Sequence, residues 1–238
     1  MVKKEVIILA GGLGSRLNTL SLGLPKCMMQ IGKHPFLYHL LWQFLDLGAE
    51  RIILATANKS EYIHKFVNEK FKAQVLAGKI LFSNEKIQSG TGGAILSALD
   101  KVQSSVFLVS NADTIIPDLS EIIWSKLDGD MNFLIFLSKM TGKRFNYFNT
   151  DDTHIIDLNQ TNKLNGRTSS GLVLVKKSFY KNINLKPPLS FENDILKYEI
   201  GQRKVGYKMV GDFIDFGVPE DFSRASAQYK NKENSIFR

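Results

Sequence analysis

Val6 to Ala10 is an unbroken apolar run that stops at Gly11-Gly12. Apolar residues at consecutive positions, rather than at every second one, mark a strand buried on both faces. Short runs of the same kind return at Arg51–Ala55, Lys79–Phe82 and Val106–Ser110. Between them the period becomes helical. Phe36, Leu37, Leu40, Leu41, Phe44 and Leu45 share one helical face, with Pro35 suited to the first turn and Gly48 to the position just past the end. Ser60–Phe71 reads as a second helix, and Ile95, Ala98, Leu99 and Val102 lie on one face of a third. Strands that alternate with helices need right-handed crossovers and give a parallel sheet covered on both sides. The expected fold is α/β, a mainly parallel sheet flanked by helices.

After about residue 130 the rhythm loosens. Phe133–Leu137 and Gly171–Val175 read as strands, with a polar stretch from Lys139 to Thr168 between them that takes no assignment. Phe191–Ile200 is expected to be helical, and Val205–Val210 and Asp212–Phe216 to be strands around Gly211. Pro219 opens a last helix with Glu220 and Asp221 in its first turn, where acids favour the dipole. No repeat or linker interrupts the chain. It is expected to form one domain over residues 1–238, in two parts divided near residue 130, with a basic tail at 230–238.

Charge and cysteine usage bound the setting. There are 31 Lys and Arg against 23 Asp and Glu in 238 residues, a net charge of +8. The cations are scattered, and the densest cluster with few acids is the tail from Lys230 to Arg238, so no nucleic-acid partner is expected. The lone Cys27 excludes an intrachain disulfide and suits a reducing compartment. No apolar run approaches the roughly 18 residues of a membrane span, and the first run is too short for a secretory signal. A cytoplasmic chain without a membrane partner is the expectation. His34, His39, His64 and His154 show no metal-ligand spacing, so no zinc site is expected.

The loop after the first strand carries the chemistry. It reads Leu9-Ala-Gly-Gly-Leu-Gly-Ser-Arg-Leu17, with Pro25-Lys26 beyond it. Gly11, Gly12 and Gly14 let the backbone turn sharply and aim amides at an anion. A dinucleotide fingerprint fails, because Leu17 stands where its third glycine belongs and no acid ends the second strand. The ATPase phosphate loop fails as well, because Arg16 stands where its Gly-Lys-Ser/Thr would begin. From Val6 to Leu45 there is no Asp or Glu in 40 residues, while Arg16, Lys26 and Lys33 fall inside. A glycine turn with its own cations at the carboxyl end of a strand is a site for a phosphorylated ligand.

The segment Leu9–Leu17 with Pro25-Lys26 resembles the signature of the sugar-1-phosphate nucleotidyltransferases. Gly90-Thr-Gly-Gly93, Asn111-Ala-Asp-Thr114 and Phe213-Ile-Asp-Phe-Gly-Val-Pro-Glu-Asp-Phe222 fall in that family's order. Ser190-Phe-Glu-Asn-Asp194, Ile214–Asp221 and the short chain look most like its heptose 1-phosphate guanylyltransferases. The resemblance implies a Rossmann-like, GT-A-like fold of the nucleotidyltransferase type, with an irregular sugar-binding second half. It implies transfer of a nucleotidyl group from a triphosphate, GTP by this likeness, to a sugar 1-phosphate, D-glycero-D-manno-heptose 1-phosphate by this likeness, with release of pyrophosphate.

Such a site needs cations and a metal more than a general base, because the nucleophile is already an anionic phosphate oxygen. By the resemblance Arg16 and Lys26 are catalytic, Arg16 holding the leaving pyrophosphate and Lys26 lying nearer the α-phosphate. Leu9, Ala10, Gly11, Gly12, Gly14, Ser15, Glu85, Gln88, Gly90, Thr91 and Gly92 are implied to bind the nucleotide. Asn111, Asn146, Lys163, Ser170, Gly171 and Glu192 are implied on the sugar-phosphate side. Asp113 and Asp215 are implied to ligate Mg²⁺, a hard ion that prefers carboxylates and phosphates. Departures from the pattern are Cys27 where a second proline is frequent, Asn146 in place of a glycine, and no acid before Lys163.

Other readings stay open at this stage. The base and sugar of a hexose 1-phosphate guanylyl-, uridylyl-, cytidylyl- or thymidylyltransferase would suit the same motifs. A non-catalytic subunit that senses a nucleotide sugar would keep the fold, although it would have no need of Arg16, Lys26, Asp113 and Asp215 together. A homo-oligomer is compatible with everything above.

Overall fold

The computed structural model describes residues 3–12, 23–85, 88–140, 146–159 and 166–215. β1 (Glu5–Leu9) is followed by a small hairpin of β2 (Gln30–Ile31) and β3 (His34–Pro35) and then by α1 (Phe36–Asp46). β4 (Arg51–Thr56), α2 (Ser60–Lys70), a short α3 (Lys72–Leu76), β5 (Ile80–Asn84), α4 (Gly90–Ala98) and β6 (Val106–Asn111) continue the alternation. β1 lies between β4 and β6 and is parallel to both, and β5 extends the sheet beyond β4 in the same sense.

The local reasons are those of the sequence. Pro35 enters α1 with φ near −60°, which a helix start requires, and Gly48 at φ +79° takes the left-handed turn that ends it. Val6, Ile7 and Ile8 are fully buried because helices cover both faces of the sheet. Val6 and Ile8 face a core shared with α1, and Ile7 faces a second core shared with α4. Each such side chain contributes about 1.5–3 kcal/mol by leaving water. Glu5, at 1% exposure, is tolerated because its Oε2 accepts from Gln103 N at 2.7 Å and Ser104 N at 2.6 Å.

Beyond β6 come β7 (Thr114–Ile115), β8 (Phe133–Ser138), β9 (Tyr147–Thr150), β10 (Ile155–Asn159) and β11 (Arg167–Lys176). α5 (Lys177–Asn182), a π-helical turn (Phe191–Leu196), α6 (Lys197–Gly201), β12 (Val205–Met209) and β13 (Ile214–Asp215) complete the described elements. Here the sheet becomes mixed. β11 is antiparallel to β6, β8 and β9, whereas β12 is parallel to β8. The stretch that took no assignment holds the hairpin β9–β10, and a connection of four residues permits only an antiparallel pair.

β11 changes neighbours at Gly171. It pairs with β9 through Arg167 and Thr168 and with β6 from Leu172 onward. Gly171 sits at φ +78°, and a Cβ there would lie 3.1 Å from Asn111 Nδ2 and 3.3 Å from Thr114 Oγ1. The glycine lets the strand bend past the end of β6. The helix expected from Pro219, the remainder of the Phe213–Phe222 segment from Phe216 onward and the basic tail lie outside the described residues. Among the described residues no helix is long and apolar enough to cross a membrane.

Candidate active site

Pairing of Leu9 with Asn111 across β1 and β6 fixes where the two strand-end loops meet. Ala10, Gly11 and Gly12 leave β1 beside Ala112 and Asp113 leaving β6, and together they border a cavity of about 600 Å³. That volume suits a small-molecule ligand, and the carboxyl ends of strands are where open α/β sheets place one. Gly11 is needed for packing, since a Cβ there would meet Ala57 Cβ at 3.1 Å. Gly12 has open space where a Cβ would stand, so its bareness faces the cavity.

Lys26 enters the cavity from a tight turn. Pro25 starts it, Met28 N donates to Pro25 O at 2.8 Å, and Cys27 and Met28 are buried beneath. The turn leaves Lys26 as the residue aimed at the ligand space, and its ammonium pairs with Asp113 Oδ2. Thr114 Oγ1 donates to Asp113 Oδ1 at 3.2 Å, which fixes the carboxylate from the other side. Cys27 also lines the cavity, and burial pushes its thiol up to about 12.

Asp215 is brought to the same place by backbone pairing. β13 runs antiparallel to β7, with Asp215 opposite Thr114, the residue after Asp113. The backbones of two aspartates from distant parts of the chain are therefore brought close together. Among the described residues no three His, Cys, Asp or Glu side chains cluster as a metal cage. A pair of hard oxygen donors fits Mg²⁺, which completes its shell from water and phosphates, better than it fits zinc.

The far wall comes from the start of α4. Glu85, Gln88, Gly90, Thr91 and Ala94 line it, and Glu85 Oε1 accepts from the Ser89 hydroxyl. Gly92 departs from the expectation of a ligand contact. It is buried off the cavity, and a Cβ there would lie 3.0 Å from Ile195 Cδ1 and 3.1 Å from Leu189 Cβ. Gly90, at φ +76°, would carry a Cβ 2.3 Å from Leu189 O. The glycines of this run admit a strand of backbone, residues 187–189, against the helix. Pro188 of that segment lines the cavity, a residue that sequence reasoning missed although Pro187-Pro188 stands one residue before the Ser190–Asp194 motif.

On the expected sugar side, Asn146 and Glu192 meet, with Asn146 Nδ2 donating to Glu192 Oε2 at 3.1 Å. Burial raises the Glu192 carboxyl above its ordinary value, and the Asn146 bond partly opposes this. Asn111 borders the cavity, and Gly171 packs on it. Ser170 departs from expectation. It is 1% exposed and its hydroxyl donates to Phe136 O at 2.8 Å, so it serves the sheet and does not line the cavity. Gly14, Ser15, Arg16 and Lys163 lie outside the described residues.

The profile described as nucleotidyl transferase matches residues 5–232. The chain belongs to that family. D-glycero-alpha-D-manno-heptose 1-phosphate guanylyltransferase of Aneurinibacillus thermoaerophilus is 30% identical over 232 residues, which is 95% of this chain and 99% of that protein. The protein of the same name from Campylobacter jejuni is 32% identical over 222 residues, 92% of this chain and 96% of its own. Among solved structures, HddC from Yersinia pseudotuberculosis complexed with GMP-PN matches with TM-score 0.76 at 33% identity, covering 96% of this chain and 100% of that one. The inositol-1-phosphate CTP transferase from T. maritima shares the fold, at TM-score 0.79 and 15% identity over 100% of this chain and 99% of that one. A nucleotidyltransferase is an enzyme of triphosphates, and the cavity at the ends of β1 and β6 is where this member has its glycine turn, Lys26 and Asp113.

Proposed function

We propose that this chain joins GTP to D-glycero-alpha-D-manno-heptose 1-phosphate, giving a nucleoside-diphosphate sugar and pyrophosphate. The observation that carries the reading is the convergence of the Gly11-Gly12 turn, Lys26 and Asp113 on one cavity of nucleotide size, with Asp215 paired opposite the next residue, Thr114, in a member of this family. A phosphate oxygen of the sugar phosphate attacks the α-phosphorus, the bond to the bridging oxygen of the β-phosphate breaks, and pyrophosphate leaves with that electron pair. No proton need move at the reacting centre.

The residues divide the electrostatic work. The amides of the glycine turn and Arg16 hold the β- and γ-phosphates, and Lys26 offsets charge where the two anions meet. Asp113 and Asp215 would hold Mg²⁺, which supplies neutralisation and alignment of the phosphate oxygens. Lys26 pairs with Asp113, and each charge holds the other beside the cavity. Glu192, with Asn146 orienting it, accepts hydrogen bonds from sugar hydroxyls. The setting we propose is the cytoplasm, where nucleoside triphosphates are held.

Guanine is favoured by chemistry at the base wall as well as by the relatives. A carboxylate only accepts, and guanine alone among the common bases presents two adjacent N–H donors on one edge, at N1 and N2. Glu85 offers such an acceptor in the cavity wall. Turnover with a panel of nucleoside triphosphates at fixed sugar phosphate should favour GTP by about tenfold or more, since a wrong base leaves the pocket's groups unpaired. A preference for CTP, UTP or dTTP would overturn the base and leave the reaction class standing.

A further inference from the structure

The nucleotide wall and the sugar side are joined by the segment 187–192. Leu189 N donates to Ser89 O and Leu189 O accepts from Gly92 N, each at 2.8 Å. Two residues on, Phe191 N donates to Thr91 Oγ1 at 2.8 Å. The following residue is Glu192, whose carboxylate is the acceptor of the Asn146 amide. A threonine in the wall of one subsite thus holds the backbone one residue from the polar group of the other.

The turn that begins there is unusual. Phe191–Leu196 is π-helical, a wider winding that occurs mostly as single turns and frequently at functional sites. Its entry is fixed twice: Asn193 N donates to Ser190 Oγ at 3.2 Å, and Ser190 N donates to Asp194 Oδ2 at 2.7 Å. Neither bond comes from outside the turn. The Thr91 hydroxyl is the contact that ties the turn's first N–H to α4, and Phe191 is only 8% exposed, so water is a poor substitute.

We propose that Thr91 is a positioning residue: by taking the Phe191 N–H it sets the start of the π-turn and so places Glu192 for the sugar. This rests on the reading of Glu192 as the acceptor of sugar hydroxyls. Steady-state kinetics of Thr91→Val, Thr91→Ser, Glu192→Gln and the Thr91→Val/Glu192→Gln pair test it. Valine keeps the shape and loses the acceptor, so the KM for sugar phosphate should rise about tenfold, and about three times more than the KM for nucleotide. Serine should restore it to within about twofold, and in the Glu192→Gln background valine should add less than about twofold, because both act through one group. Where valine prevents folding, Thr91→Ala takes its place.

Equal rises in both KM values, failure of serine to restore, or full additivity in the pair would each overturn the proposal. A raised sugar KM in Glu192→Gln beside an unaffected Thr91→Val overturns it while Glu192 keeps its role. An unchanged sugar KM in Glu192→Gln overturns the role of Glu192 and the proposal with it.

Discussion

An ammonium and a carboxylate 87 residues apart in sequence meet at the ends of β1 and β6. Both were legible as candidates, Asp113 because it follows a strand whose apolar run stops there, and Lys26 because it is a cation in the 40-residue stretch from Val6 to Leu45 that has no acid. The partnership of Asn146 with Glu192 was visible only as two separate sugar-side residues, since nothing in the spacing of 46 positions links them. Ser170 could not be read correctly, because a serine in a strand gives no sign of which face it takes. Two outcomes are expected at this scale. Asp113→Asn and Asp215→Asn should each lower kcat by about a hundredfold or more at saturating Mg²⁺ with an unchanged circular dichroism spectrum. Near-normal turnover in either would remove that residue from the metal site. Cys27, held protonated by burial to about 12, should resist a thiol reagent at neutral pH in the folded chain and react once unfolded. Rapid labelling of the native protein would contradict its place beneath the turn.

The elements divide by how much periodicity each could display. α1 spans Phe36–Asp46, and its apolar face repeats often enough to be read from the sequence. β9 and β10 are four and five residues long, with polar side chains among the apolar ones, so alternation never accumulates. β7 and β13 have two residues each and exist only through one another. The glycine run at 90–93 shows a different limit. Sequence marks a need for bareness but not what approaches, and here the neighbour is the Leu189 backbone. Gly90→Ala should therefore destabilise the fold by about 2 kcal/mol or more in chemical denaturation, from the forced left-handed backbone and the clash. Gly12→Ala has room for its methyl and should melt near the parent temperature while weakening nucleotide binding. Equal stability losses in the two variants would show that Gly12 also serves packing.

The molecule as a whole is built on one sheet whose parallel half, read from the first part of the chain, meets a mixed half where β6 pairs with β11. The parallel half was legible because buried parallel strands are continuous apolar runs, and the mixed half was not, because its pairings are set by contacts between distant segments. That junction places the glycine turn, Lys26 and Asp113 on one cavity, with Gly171 packed against its Asn111. The most direct measurement is release of pyrophosphate when the protein is mixed with GTP, Mg²⁺ and D-glycero-alpha-D-manno-heptose 1-phosphate. The account predicts pyrophosphate and nucleotide sugar in equal amounts, with formation abolished by a chelator. No pyrophosphate from any common nucleoside triphosphate across a panel of sugar 1-phosphates would contradict it.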